Sequence, residues 1–239
     1  MAAEIPVALV YNGVSHAVML ATPQDIEDFA LGFSLTEGIL RSPRELYSVE
    51  VERSTAGIEA QLSIAAERMV ELKARRRSLT GRTGCGLCGA ESLAHAVRTP
   101  ARISSHCAAS EAAIHRAMDE LTSRQILHRE TGATHAAGWA DREGRLLLAR
   151  EDVGRHNALD KLIGAMARQS LSSACGFALV TSRASSEMVQ KAASFGIPLL
   201  AAMSAPTDLA VRLAAECGLT LLGFVRGSSH TVYAGTTAI

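Results

Sequence analysis

The sequence predicts a layered α/β fold with a smaller N-terminal α+β part, and three observations support this prediction. The chain has 239 residues, of which 48% are hydrophobic, which is enough to bury one large core. From about residue 133 onward, short apolar strands alternate with amphipathic helices, an order typical of a sheet with right-handed crossovers. The first third of the chain instead has the order hairpin, helix, two strands and helix.

The N-terminal part opens with two apolar strands, at 7–10 and 14–20, on either side of Asn12-Gly13. Asn-Gly tolerates positive φ at both central positions of a tight turn. The pair therefore predicts a β-hairpin.

A helix is expected after the hairpin, because Thr22 is a candidate N-cap and Pro23 fits the first helical position. Apolar side chains then recur at helical spacing until Gly38. The later elements are expected as strands at 46–52 and 58–64, a helix at 66–77, a helix from 110, strands at 133–140 and 145–149, a helix at 157–167, a strand at 177–180, a helix at 186–193, a strand at 198–202, a helix at 207–216, and strands at 219–225 and 231–234.

Four glycines between residues 79 and 89 are too many for a regular element, so this stretch predicts a loop and an internal boundary. We therefore divide the chain into three parts. They are an N-terminal α+β part at 1–78, a glycine-rich cysteine loop with its connection at 79–109, and an α/β core at 110–239.

Composition argues against several classes of function. The 24 Lys and Arg residues balance 24 Asp and Glu residues, so no global charge attracts nucleic acid or an anionic membrane. The longest apolar runs are too short to span a bilayer, and the N-terminus lacks a basic stretch followed by an apolar core. Five cysteines form a sparse, odd set, typical of a reducing compartment. We therefore expect a cytoplasmic protein that binds neither nucleic acid nor membrane.

The most specific chemical feature is a Cys-x-x-Cys pair, Cys85 and Cys88, set among glycines. Glycines give the backbone freedom to present sulfur. Positive charge upstream should favour the thiolate, which is the nucleophilic form. The basic residues are Lys73, Arg75, Arg76, Arg77 and Arg82.

Three interpretations of this pair stay open from the residues alone. It could be half of a zinc site completed by His95, His106 or Cys107. It could be a redox dithiol, or a sulfur carrier that holds a persulfide. A deaminase-type zinc centre fails, because the one H-x-E follows the cysteines instead of preceding them.

Other polar clusters lie where strands are expected to end. The run 151–161 combines acids, bases and an imidazole at a strand-to-helix junction, where ligands commonly bind. The alternative is a purely structural role, in which Asp152 caps the helix and the other charges form exposed pairs. Arg183 and Ser185 lie between a strand and a helix, a position that suits phosphate. Residues 204–207 and 226–229 follow two further strands. Together, these loops could bind a nucleotide-like ligand. The remaining cysteines, Cys107, Cys175 and Cys217, are interpreted as structural.

The chain resembles the formate dehydrogenase accessory sulfurtransferase family, FdhD. The motifs that carry the resemblance are ATP at 21–23, LTEG at 35–38, the cysteine loop, EDVGRHNALDKLIG at 151–164, RAS at 183–185, EMVQK at 187–191 and SAPT at 204–207. The DVGRHNALDK run followed by SAPT is the specific part.

This resemblance implies a cytidine-deaminase-like α/β fold with helices on both faces of the sheet, in a homodimer. It also implies sulfur transfer from a cysteine desulfurase to the molybdenum cofactor, as bis(molybdopterin guanine dinucleotide), for formate dehydrogenase. Cys85 would carry the persulfide, Cys88 would assist or replace it, and no permanent metal is expected. The cofactor-binding segment falls on Phe224, Val225, Arg226, Gly227, Ser228 and Ser229. The alternative is a zinc-stabilised or non-catalytic chaperone for the same cofactor.

Overall fold

A computed structural model describes residues 1–79 and 100–237 of the chain. Ten β-strands in two mixed sheets and seven α-helices lie within these residues, which confirms the predicted α/β class. No helix in this part of the chain combines the length and apolarity that crossing a bilayer requires.

The smaller sheet is formed by the first four strands in the order β2-β1-β4-β3. They are β1 Ile5–Tyr11, β2 Val14–Ala21, β3 Leu46–Ser54 and β4 Gly57–Ile64. β1 and β2 form the predicted hairpin, with Asn12 and Gly13 both at positive φ. β1 pairs in parallel with β4, so the helix α1, at Ile26–Thr36 between them in sequence, crosses over the sheet.

The larger sheet has six strands in the order β10-β9-β8-β7-β5-β6. They are β5 His135–Asp141, β6 Leu146–Asp152, β7 Gly176–Val180, β8 Leu199–Ala202, β9 Thr220–Arg226 and β10 Ser229–Ala234. β7, β8 and β9 are parallel to one another. β5 runs antiparallel to β7, β6 to β5, and β10 to β9.

The seven helices are α1 Ile26–Thr36, α2 Ala66–Leu79, α3 Glu111–Ser123, α4 Ile126–Thr131, α5 Arg155–Arg168, α6 Ser186–Ser194 and α7 Asp208–Cys217. Alternate residues of each central strand point to opposite faces of the larger sheet. Ala178 and Val180 of β7 belong to one apolar cluster, with α5, α6 and α7. Phe177 and Leu179 belong to a second, with α3. Helices therefore cover both faces, as predicted.

The smaller sheet joins the same core through a close crossing of α1 and α5. A Cβ atom on Gly32 would overlap the Asp160 carbonyl oxygen, and one on Gly164 would overlap the Asp28 carbonyl oxygen. Only glycine lets the two backbones approach this closely. The large apolar cluster accordingly contains residues from both sheets. The predicted division of the chain at 78 and 109 stays a prediction, since much of 79–109 lies outside the described residues.

The start of α1 differs from the expectation. The helix is preceded by Asp25, at φ 55°, and not by Thr22 with Pro23 at the first helical position. Thr22 is buried, and both its N–H and its hydroxyl donate to Asp152 Oδ2 at 2.9 Å. The Thr22 hydroxyl, which the sequence predicted to cap α1, therefore makes a long-range hydrogen bond instead.

Two further expectations were wrong. β6 continues to Asp152 instead of ending near residue 149, because its last residues pair with the start of β5, Asp152 with His135. α4 was not predicted as a helix. Its first-turn N–H groups, on Leu127 and His128, donate to the Glu151 carboxylate of β6 at 2.8 Å.

Candidate functional site

Several loops meet at one edge of the larger sheet. The parallel strands β7, β8 and β9 all end at this edge. β6 also ends and β5 begins there, since His135 pairs with Asp152 and Ala137 with Val180. In open α/β sheets, ligands bind beyond the carboxyl ends of strands. We call this region the strand-end edge; it comprises His135 and residues 152–156, 181–187, 203–207 and 224–229.

The loops of the strand-end edge are hydrogen-bonded to one another. Ala184 forms a parallel bridge with Pro206, and the Thr207 N–H donates to the Ala184 carbonyl at 3.0 Å. Arg226 Nε donates to the Met203 carbonyl at 3.0 Å. The sequence predicted three separate anion-friendly loops, and these contacts join them into one continuous surface.

Two helices begin at this surface without a side-chain cap. α5 follows Gly154, which has no side chain, and α6 follows Ser185, whose hydroxyl makes no capping hydrogen bond. α7 is different, because Thr207 Oγ1 accepts a hydrogen bond from the Ala210 N–H at 3.3 Å. Uncapped first-turn N–H groups carry partial positive charge and bind anions. The starts of α5 and α6 therefore favour an anionic ligand.

Two shielded polar atoms at these helix starts have no hydrogen-bond partner among the described residues. They are Arg155 Nε and Ser185 Oγ. His156 Nε2 instead faces Glu187 Oε2 at 2.8 Å. Shielded polar atoms are normally paired, so unpaired ones need an explanation. A bound polar group would supply partners here.

Two histidines at the strand-end edge favour the neutral form. Burial lowers the pKa of His135, and the nearby charges of Arg155 and His128 lower it further. Burial also lowers the pKa of His156; Glu187 opposes this shift, while Arg155 and Lys191 add to it. The cationic side chains near this edge therefore disfavour a protonated imidazole, and the same positive charge favours an anionic ligand.

The structure places the predicted cofactor residues at this edge, on two sides of β8. Arg183 is exposed and Ser185 half-buried, both after β7, and Phe224 and Arg226 are exposed at the end of β9. Phe224 has φ 54°, an uncommon conformation for a residue with a Cβ. The Val225 side chain is fully buried in the core and is not at the surface.

The β9–β10 turn consists of Gly227 and Ser228, since Arg226 pairs with Ser229. Gly227 has φ 53°, which suits glycine. Ser228 and Ser229 are exposed, and the Ser229 hydroxyl donates to the Arg226 carbonyl at 3.2 Å. This turn therefore extends the strand-end edge with exposed polar groups.

The sequence model of the FdhD/NarQ family matches residues 2–239. The chain belongs to this family. The curated relative named sulfur carrier protein FdhD in Bordetella bronchiseptica is 58% identical over 233 residues, which are 98% of this chain and 84% of the relative. The protein of the same name in Variovorax paradoxus is 57% identical, with the same coverage of both chains.

A solved structure agrees with this assignment to the FdhD/NarQ family. A crystal structure from Desulfotalea psychrophila, titled as that of a formate dehydrogenase accessory protein, has a TM-score of 0.75 and 26% sequence identity. The match covers 98% of this chain and 88% of the other. The family predicted from the motifs is confirmed, whereas the similarity to cytidine deaminases stays a prediction.

The most specific FdhD/NarQ motif, at 151–161, is largely buried in this chain. Asp152 and Lys161 are both fully buried and lie 2.7 Å apart, and Asp160 lies 3.0 Å from Lys191. Asp152 also accepts the Gly154 N–H at 2.8 Å, but it accepts no first-turn N–H of α5, so the predicted capping by Asp152 was wrong. The expected exposed charge pairs were wrong, because α1 covers this face of α5.

The persulfide candidates Cys85 and Cys88 lie outside the described residues. Of the other cysteines, Cys107 and Cys217 are buried, and burial raises the pKa of both thiols, as expected of structural cysteines. Cys175 is exposed. Within 1–79 and 100–237, no group of three or more His, Cys, Asp or Glu side chains is placed to hold a metal ion.

Sequence reasoning did not assign His135 or Arg155 to the ligand site, although Arg155 lies in the polar run 151–161 and His135 belongs to the stretch His135-Ala136-Ala137 that matches the FdhD family. The signal available for Arg155 was its position directly after a strand and a glycine, where helix starts face ligands. The place of His135 at the edge follows from its pairing with Asp152. His115 and His230, interpreted as incidental, contact each other through ring nitrogens 2.9 Å apart.

Proposed function

We propose that this protein is a sulfur carrier that takes persulfide sulfur from a cysteine desulfurase onto Cys85. It then passes the sulfur to the molybdenum cofactor of formate dehydrogenase, in its bis(molybdopterin guanine dinucleotide) form. The observation that carries the proposal is the strand-end edge, whose uncapped helix starts and unpaired polar atoms suit phosphate groups. Membership of a family with relatives named sulfur carriers supports the sulfur chemistry.

The proposed loading step is a thiol–persulfide exchange. The Cys85 thiolate attacks the outer sulfur of the desulfurase persulfide, so a new S–S bond forms while the desulfurase S–S bond breaks. The desulfurase cysteine leaves as a thiolate, and Cys85 now holds the outer sulfur. The exchange needs no external oxidant. The basic residues at 73–82 favour the reactive thiolate, and Cys88 assists or replaces Cys85.

The strand-end edge would hold the guanine dinucleotide arms of the cofactor substrate. Phosphates would accept hydrogen bonds from Ser185, from Arg155 and from the first-turn N–H groups of α5 and α6. Arg183 and Arg226 add positive charge at the exposed rim. Phe224 is 44% exposed and presents an aromatic ring on which a base could stack.

Three further parts of the proposal follow the family resemblance. The client is formate dehydrogenase, the protein is cytoplasmic, and it acts as a homodimer. Light scattering on the purified full chain tests the dimer directly. We expect twice the mass of the 25.2 kDa chain, and a monomer mass at working concentration would contradict this part.

Intact-mass measurement tests the sulfur step. The full chain is incubated with an active cysteine desulfurase and cysteine, and we expect an increase by one sulfur atom that a reductant removes. Cys85→Ser should abolish the increase. Cys175→Ser, at the exposed cysteine of the described part, should leave it unchanged. The absence of added sulfur in the wild type, with demonstrably active desulfurase, would contradict the proposal.

Zinc analysis of the same samples distinguishes the sulfur carrier from the alternative, a zinc-stabilised chaperone. A non-catalytic zinc-stabilised module would hold stoichiometric zinc that is lost in both Cys85→Ser and Cys88→Ser. A sulfur carrier should be loaded without zinc. A dithiol oxidoreductase would instead show a reversible disulfide between the two cysteines and no gain of sulfur.

A further inference from the structure

His156 lies between groups of opposite charge at the strand-end edge. It is the second residue of α5, and its side chain is 27% exposed. Glu187 of α6 places a carboxylate oxygen 2.8 Å from its Nε2. Arg155 precedes it on α5, and Lys191 faces it from the next turn of α6.

The two cations near His156 differ in how they are satisfied. Lys191 donates to Asp160 at 3.0 Å and to Glu37 at 2.9 Å, so its charge is compensated within the protein. Arg155 Nε has no aligned partner among the described residues. In the free protein, burial and these two cations outweigh Glu187 and lower the pKa of His156. The imidazole is therefore neutral near neutral pH.

We propose that His156 takes up a proton when a phosphate group binds at the strand-end edge, so that phosphate binding and His156 protonation are coupled. This inference rests on the proposed function, which places the guanine dinucleotide phosphates at this edge. It adds a role for a residue outside the predicted cofactor segment. The role is that of a positioning and charge-balancing residue.

The physical reason is a reversal of the local charge balance. A bound phosphate near the starts of α5 and α6 brings negative charge close to Arg155 and to the imidazole. Negative charge within a few ångströms favours the imidazolium, and it offsets the effect of Arg155. The imidazolium has two N–H donors, so one can face Glu187 while the other faces the ligand. Without this proton, Glu187 would repel the ligand.

The sign of the coupling follows from linkage. A group that gains a proton on binding makes affinity rise as pH falls, by up to about tenfold per pH unit for one full proton. The effect appears between the pKa of His156 in the free protein and its higher pKa in the complex. Above the higher pKa, affinity no longer depends on this residue's protonation.

Isothermal titration calorimetry of the full chain with guanosine diphosphate tests the inference. The titration is run at one neutral pH in two buffers that differ in ionisation enthalpy, which reports the protons taken up per ligand. The terminal phosphate of guanosine diphosphate also titrates near neutral pH, so the difference between variants reports on His156. His156→Gln should take up fewer protons per ligand than the wild type, and its affinity should fall most at the acidic end of the range.

Two matched variants locate the proton. His115→Gln removes a histidine on α3 whose pKa is also lowered by burial, and it should leave the uptake unchanged. His135→Gln removes the other histidine of the edge. Loss of the uptake in His135→Gln, with uptake retained in His156→Gln, would overturn the assignment to His156.

The outcomes separate this inference from the proposed function. If guanosine diphosphate does not bind at all, the nucleotide site of the proposed function fails. If it binds and the wild type takes up no more protons than His156→Gln, the site stands and the inference fails. Should His156→Gln not fold, NMR titration of the wild-type imidazoles decides the matter. A ligand-induced rise in the His156 pKa supports the coupling, and an unchanged pKa overturns it.

Discussion

The first and second turns of α5 differ in whether their polar side chains have hydrogen-bond partners within the protein. In the second turn, Asp160 and Lys161 are buried and each has several hydrogen-bond partners. In the first turn, Arg155 Nε is shielded without a hydrogen-bond partner among the described residues, and His156 Nε2 faces the partly exposed carboxylate of Glu187. One sequence motif therefore contributes both to the core and to the site. The satisfied charges hold the two sheets together, and the unsatisfied ones face the strand-end edge.

The buried pair of Lys161 and Asp152 offers the strongest test of the structural role of the second turn of α5. In Lys161→Ala, the fully buried Asp152 carboxylate loses its cation, and we expect the free energy of unfolding to fall by about 3–5 kcal/mol. Urea unfolding measures this. Lys73→Ala, at an exposed lysine of α2, should change it little.

The double variant Asp152→Asn/Lys161→Met removes both charges and should recover part of the loss. A Lys161→Ala protein as stable as the wild type would show that the pair does not hold the motif in place. The comparison between the two turns would then lose its basis.

The second-largest expected loss of stability is at the crossing of α1 and α5. Gly164→Ala places a methyl group against the Asp28 carbonyl, so the helices must separate. We expect a loss of about 1–3 kcal/mol in the free energy of unfolding, as in other overpacked contacts. Glu27→Ala, at an exposed position of α1, is the matched control. Equal stability of both variants would mean that the close approach is unimportant.

Two residues at helix starts sharpen the comparison further. Thr207→Ala removes a cap from α7 and should lower the free energy of unfolding by about 1 kcal/mol. Ser185→Ala removes no hydrogen bond from the free protein and should change it by less than about 0.5 kcal/mol. Ser185→Ala should instead weaken guanosine diphosphate binding. The opposite order of stability loss would contradict a ligand-facing role for Ser185.

The smallest expected effect is the dependence of stability on pH. Burial lowers the pKa of His115, His135 and His156 in the folded protein. As the pH falls through about 6.5, the unfolded chain binds protons that the native protein does not, so the stability present above this pH is lost. Urea unfolding between about pH 7.5 and 5.5 should show this decline, with a shallower slope in His156→Gln. A flat profile would contradict the neutral state of these side chains.

Much of the fold follows from local sequence patterns. The alternation of strands and helices after residue 133 reflects apolar periodicity, which acts within each element. α4 escaped prediction because it is six residues long and its first turn is satisfied by Glu151, a carboxylate of β6. The start of α1 escaped for a related reason, since Thr22 contacts Asp152 from across the fold.

Some residues of the site were also predictable from local sequence, and others depend on long-range packing. Arg183 and Ser185 were predictable, because their loop lies between a strand and a helix. The burial of Asp160 and Lys191 was not, since it depends on α1 docking against α5 through Gly32 and Gly164. The unpaired nitrogen of Arg155 likewise depends on three-dimensional packing and has no counterpart in the order of residues.

A crystal structure of the full chain with guanosine diphosphate tests the central claim most directly. The account predicts phosphate oxygens within about 3 Å of Ser185 Oγ, of Arg155 and of the first-turn N–H groups of α5 or α6. The buried pairs of Asp152 with Lys161 and of Asp160 with Lys191 should be unchanged. A diphosphate bound away from the strand-end edge, or one that displaces those buried pairs, would contradict the account.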